Sequence, residues 1–153
     1  MNQIVIDCGP LSLVWIPNLV APLSNRIKVG AFEMRCGAKP VGRVSFVGTR
    51  PPHAVIGYEV LSEFRGRGFA SSAVAAVLAV APTFGFSVLT AQCRSNNAHS
   101  RRVLEKSGFI LSSSVPFSTN GRDKSLLFMV YQWIATSPAH STECSVSPES
   151  HLK

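Results

Sequence analysis

The sequence predicts an α+β domain in which a mixed, mostly antiparallel sheet of about six or seven strands carries two helices. Three observations point to it. Residues 26 to 48 alternate roughly polar and apolar around the turn-prone "CGAKP", the pattern of a β-hairpin. From Gly68 the apolar residues change to helical spacing, at Ala70, Val74, Val77, Leu78 and Ala81, until Pro82 stops the run. A strand and a second helix then follow, so a strand–helix–strand crossover between parallel neighbours lies between antiparallel flanks.

Taken in order, "IVIDC" (4 to 8) is a short β-branched strand closed by Gly9-Pro10. Residues 9 to 25 have no assignable period. "RIKVGAFEMR" (26 to 35) and "VGRVSFVG" (41 to 48) form the hairpin, and "HAVIGYEVL" (53 to 61) gives another strand after the Pro51-Pro52 break. The run from Gly68 to Ala81 makes a helix of about four turns. "FSVLTAQC" (86 to 93) is the next strand, and "NNAHSRRVLEKSG" (96 to 108) is a helix capped by Asn96 or Asn97 and ended by Gly108. "FILSSSV" and "SLLFMVYQWI" (125 to 134), parted by "STNGRDK", complete the sheet. Residues 136 to 153 are rich in Ser, Thr and Pro and are expected to be a disordered tail, which leaves one folded domain over 1–135.

Composition narrows the classes. The chain has 153 residues, 46% of them hydrophobic and only 15% charged, which suits one packed domain. Its formal net charge of +7 favours anionic partners. The basic residues are scattered from Arg26 to Lys124 without a block, so a nucleic-acid-binding domain has weak support. Cys8, Cys36, Cys93 and Cys144 are far apart, with no C-x-x-C pair and no histidine at ligand spacing, which argues against a disulfide framework or a metal site. "PLSLVWIPNLVAPL" (10 to 23) is apolar but broken by internal prolines, and reads as core or interface, not as a signal peptide or membrane span. Together these features predict a cytoplasmic protein.

The stretch "EFRGRGFASSA" (63 to 73) carries the chemistry. It ends a strand, turns, and opens a helix whose first N–H groups lack internal partners. Glycines there let a phosphate approach the backbone, with the helix dipole behind it. On the loop alone, a tight turn with solvated arginines fits as well as an anion site. Neither G-x-x-x-x-G-K-[ST] nor G-x-G-x-x-G is present, since Ser71 stands at the last glycine position of the latter.

Arg65-x-x-Gly68-x-Ala70 resembles the [QR]-x-x-G-x-[GA] signature of the GNAT superfamily of acyl-CoA-dependent N-acetyltransferases. "IGYEVLSEFRGRGFA" and "NAHSRRVLEKSGF" (97 to 109) are similar to the strand-plus-loop and the following helix of its ribosomal-protein-alanine acetyltransferase branch. The resemblance covers about residues 26 to 134. It implies a GNAT-like fold in which the strands around 53–61 and 86–93 splay to admit acetyl-CoA. The loop amides of Arg65, Gly66, Arg67, Gly68, Phe69 and Ala70 would hold the pyrophosphate. Backbone groups of Val60 and Leu61 would bind the pantetheine arm, joined by the Asn97 amide, which equally serves as a plain helix cap.

For the reaction, the resemblance implies acetyl transfer to a primary amine: a protein N-terminus, an amino acid or a small amine. The helix tyrosine that acts as acid in many members is replaced by Leu104, so Ser100 is the candidate acid, with small-residue packing as the alternative. Where some relatives carry a basic glutamate this chain has Gln92, leaving Glu59 as candidate base or, alternatively, as half of a salt bridge. Arg94, Arg101, Arg102 and Lys106 lie toward the expected adenosine end, or are simply solvated helix-face charges. His99 is assigned no role. Family members insert about two helices where only residues 9 to 25 are available here, so the apolar "LSLVWIPNLVAPL" is a candidate homodimer contact. Gln92, Leu104 and this short N-terminal part also leave open an acyl-CoA-binding domain with little catalysis.

Overall fold

The computed structural model describes residues 4–17, 28–116 and 127–136. It contains β1 (Val5–Cys8), β2 (Leu11–Pro17), β3 (Lys28–Cys36), β4 (Lys39–Arg50), β5 (His53–Val60), α1 (Phe69–Val80), β6 (Val88–Arg94), α2 (Ala98–Lys106), β7 (Ile110–Pro116) and β8 (Leu127–Ile134). The strands form one sheet in the order β1-β2-β3-β4-β5-β6-β8-β7. Only β5 and β6 run parallel; every other neighbour pair is antiparallel. The mixed α+β architecture is therefore as expected, with eight strands among the described residues where about six or seven were predicted.

The added strand is β2, and it corrects the reading of the N-terminal part. Gly9-Pro10 does not merely end β1. It is a two-residue hairpin loop that brings Cys8 opposite Leu11, with Gly9 at φ 70° and Pro10 confined to negative φ. Leu11, Leu13 and Val14 are buried in this chain's own core. Of the candidate dimer contact, these three are buried within the chain, Ser12, Trp15 and Ile16 stay partly exposed, and residues 18–27 lie outside the described residues. So does the expected tail from residue 137 onward.

The core lies on the face covered by α1 and α2. On β5 the even positions Ala54 and Ile56 point into it, whereas His53 and Val55 stay exposed. From α1 it takes Ala70, Ala73, Val74, Val77 and Leu78, and from β6 Leu89, Ala91 and Cys93. The helix ends at Val80 and passes into a 3₁₀ turn, Ala81–Phe84, that accommodates Pro82. Edge-to-face contact of Phe46 with Phe86, centroids 4.9 Å apart, closes the far end.

One departure from regular pairing positions the site. β5 and β6 are paired only over His53–Ile56 and Val88–Ala91. Beyond Ile56 and Ala91 the two strands diverge: β5 stays with β4 as far as Val60, and β6 stays with β8 as far as Arg94. The predicted splay is present, and α1 and α2 both begin at its open end.

Candidate functional site

The cleft at this open end has a volume of about 380 Å³, within the range of small-molecule sites, and is lined by Tyr58, Glu59, Val60, Arg65, Gly66, Ala70, Asn97, His99 and Ser100. Gly68 and Phe69 line a smaller adjoining pit with Arg65, Gly66 and Ala70. Residues from two stretches some thirty positions apart are thereby brought together.

The loop is built as an anion cradle. A 3₁₀ turn, Ser62–Phe64, leads from β5 into Gly66 and Gly68, at φ 77° and 78°. These are left-handed conformations that glycine adopts without strain. Gly68 is the N-cap of α1, and having no side chain it leaves the first helical amides uncapped. The N–H groups of Phe69, Ala70 and Ser71 precede the first intrahelical bond, Ser72 N–H to Gly68 C=O. Uncapped amides, the positive end of the helix dipole and two nearby arginines suit a pyrophosphate.

Several side chains make contacts of their own around the loop. Arg65 Nε donates to the Val60 carbonyl oxygen at 3.0 Å, so this side chain braces the loop against β5. Arg67 lies over the Phe64 ring, 5.4 Å from its centroid, and Lys39 approaches the same ring at 5.0 Å. The Leu61 N–H donates to Val41 C=O and its carbonyl accepts from Phe64 N–H, so only the second lone pair of that carbonyl is open to an arm in the splay. Val60 remains on the cleft wall.

Asn97 caps α2, its Oδ1 accepting from Ser100 N–H at 3.1 Å. Capping uses the oxygen only, so the amide NH₂ stays on the cleft wall and the two expected roles are compatible. Replacing Asn97 by alanine is expected to destabilise the chain by about 1 kcal/mol through loss of the cap. Denaturant titration measures that cost, and a parallel loss of acetyl-CoA affinity reports the NH₂ contribution.

Glu59 sits at a boundary. Its register partner on β4 is Arg43, and the Arg43 guanidinium meets the Glu59 carboxylate at 3.3 Å in an exposed ion pair. It lines both the main cleft and a neighbouring one of about 320 Å³ formed with Ile16, Glu33, Pro40, Gly42, Arg43 and Leu61. Leu104 is buried in the core and Gln92 is exposed, so neither position offers the cleft an acid or base. Arg101 faces away, its Nε donating to the Tyr131 hydroxyl, whose proton goes to Glu105 Oε1 at 3.0 Å.

Two cleft residues were given no part in the sequence reading. His99 is an exposed part of the wall. Tyr58 is half-buried and donates its O–H to the Ser100 carbonyl oxygen at 3.0 Å, linking β5 to the first turn of α2. Burial pushes its phenol above the ordinary value. The signal for it was the β5 alternation, which places Tyr58 on the face of Ala54 and Ile56.

A splayed parallel pair with an uncapped helix start and an asparagine-capped second helix is the arrangement that the GNAT resemblance implied. The model of the "Acetyltransferase (GNAT) domain" family matches residues 19–110, more than half of the chain, and the chain belongs to this family. Among solved structures, RimL, the ribosomal L7/L12 alpha-N-protein acetyltransferase in complex with coenzyme A, is similar with a TM-score of 0.62 and 23% identity over 69% of this chain and 62% of that one. A crystal form of RimL without ligand gives 0.69 and 19% identity over 87% and 95%. The microcin C7 self-immunity acetyltransferase MccE, in complex with acetyl-CoA and AMP, gives 0.60 and 18% identity over 72% and 62%. The chain thus spans less than two thirds of the coenzyme A-bound RimL and MccE chains, and at these identities the likeness shows the fold. No curated protein sequence matches significantly. Among the described residues no helix is long and apolar enough to cross a membrane, and no group of His, Cys, Asp or Glu is placed to hold a metal ion.

Proposed function

We propose that this domain transfers an acetyl group from acetyl-CoA to a primary amine. One observation carries the reading: an uncapped α1 N-terminus opens onto a cleft between strands that have parted. Acetyl-CoA supplies the activated thioester. The amides of Phe69, Ala70 and Ser71 hold its diphosphate, and Val60 and Asn97 line the path of its arm. Polar backbone on the splayed part of β5 is available to polarise the acyl carbonyl, an oxyanion-type contribution.

The amine nitrogen attacks the carbonyl carbon after losing a proton, the C–N bond forms, and the C–S bond breaks with its electron pair going to sulfur. Glu59, reaching both clefts, is placed to take the amine proton directly or through water, and Ser100 is the hydroxyl offered by the signature helix to the departing thiolate. The neighbouring cleft offers an acceptor that arrives as an ammonium ion the carboxylates of Glu33 and Glu59, which are paired with Arg35 and Arg43. A protein N-terminus, an amino acid and a small amine all meet that description. Unbridged Cys8, Cys36 and Cys93 fit a reducing compartment, so we place the enzyme in the cytoplasm.

Incubation with acetyl-CoA and a panel of N-terminal peptides, amino acids and polyamines, read by mass spectrometry, tests the activity. Acetylated product is expected for at least one class. A second reading, cofactor binding without turnover, is favoured by the burial of Leu104, which removes the usual helix acid. Saturable acetyl-CoA binding with no product anywhere in the panel supports it. Within the first reading, Glu59→Gln is expected to lower kcat by about 10²-fold and flatten the pH–rate profile without weakening acetyl-CoA binding. A profile identical to that of the parent removes Glu59 as the base.

A further inference from the structure

Resting on the acetyl-CoA reading of the cleft, we propose that Tyr58 sets the length of acyl group the site accepts, admitting acetyl and excluding longer chains. The cleft has a defined direction. At its mouth Val60 stands beside Arg65 and Gly66, at the end where the diphosphate would lie. Two residues inward along β5, about 6.6 Å on a strand, stands Tyr58. Two further inward is Ile56, where β5 and β6 rejoin opposite Ala91 and both residues are buried in the core.

An arm that enters from the loop and runs down β5 therefore ends against the Tyr58 ring, with a closed sheet behind it. The ring is held in place. Its hydroxyl donates to the Ser100 carbonyl at 3.0 Å, which anchors the side chain to the first turn of α2 across the gap left by the missing β5–β6 pairing. Burial also holds the phenol above its ordinary value. A ring packed on one side against the core and tied on the other to a helix cannot swing aside cheaply, so each methylene added to the acyl group collides instead of displacing it.

The test is a ladder of acetyl-, propionyl-, butyryl- and hexanoyl-CoA, titrated calorimetrically into the full chain, so that no acceptor is needed. The parent chain is expected to lose about tenfold or more in affinity between acetyl- and butyryl-CoA. Tyr58→Val keeps a strand-forming residue but shortens the side chain, and is expected to bring butyryl- and hexanoyl-CoA within about threefold of acetyl-CoA. Tyr58→Phe, which keeps the ring and loses only the hydroxyl, is expected to retain the parent preference. Should Tyr58→Val fail to fold by circular dichroism, Tyr58→Leu gives the same reading. A parent chain that binds hexanoyl-CoA as tightly as acetyl-CoA overturns the proposal, as does a shortened variant with an unchanged ladder. Failure to bind any acyl-CoA is a different result, because it removes the acetyl-CoA reading itself and Tyr58 falls with it.

Discussion

Gly68→Val is expected to lower acetyl-CoA affinity by at least about 100-fold, close to 3 kcal/mol, while the sheet stays folded. Gly68 sits at φ 78°, where a β-branched residue is a steric outlier. Relaxing that strain turns the first amides of α1 away from the diphosphate, and the new side chain occupies the space the ligand needs. A Cβ built at Gly68 meets nothing within 4 Å, so the substitution does not clash with the protein itself. The cost to folding is confined to the backbone, about 1–2 kcal/mol. Gly68→Ala should fall between the two, with the strain but little bulk. Calorimetry reads the affinity and circular dichroism the fold; an unchanged dissociation constant for the valine variant means that the diphosphate is bound elsewhere.

The largest expected effect on stability comes from Leu89→Ala. Leu89 is fully buried near the start of β6, the strand that the sheet pairs with β5 on one side and β8 on the other. Removing its side chain leaves a cavity where α1 packs on the sheet, at a cost of about 2–5 kcal/mol. Against a total of roughly 5–15 kcal/mol for a domain, this is a large fraction. Denaturant unfolding should show a lower midpoint at unchanged slope. A midpoint within error of the parent would contradict the placement of Leu89 in the core.

Much of this architecture was legible because local pattern and tertiary role agree. The hairpin of β3 and β4 alternates well enough to be read, and its "CGAKP" turn places Gly37 and Ala38 between Cys36 and Lys39. α1 is a run of small and β-branched residues between a glycine and a proline. β2 escaped because it is covered on both faces: Leu11 and Leu13 are buried on one side and Val14 on the other, which erases the period-two signal. Gly9-Pro10 compounded the difficulty, since two turn residues mark a strand end and a hairpin equally well.

The site divides along the same line. The loop and the asparagine-capped helix were readable because glycines and caps are local backbone chemistry. What Glu59, Leu61 and Tyr58 do depends on register across the sheet. The Arg43–Glu59 pair, the Leu61 bond to Val41 and the Tyr58 bond to Ser100 join residues 16, 20 and 42 positions apart. No short-range pattern encodes those partners. The bland alternative for Glu59, a salt bridge, is present; its place between two clefts is what keeps it a candidate base.

The central claim is that the cleft between β5 and α2 holds acetyl-CoA with its diphosphate on the α1 amides. The most direct measurement is a calorimetric titration of acetyl-CoA into the parent chain and into Gly68→Val. Saturable binding of one acetyl-CoA per parent chain is expected, with loss of that binding in a folded variant. Absence of binding to the parent chain, or equal binding by both, would contradict it.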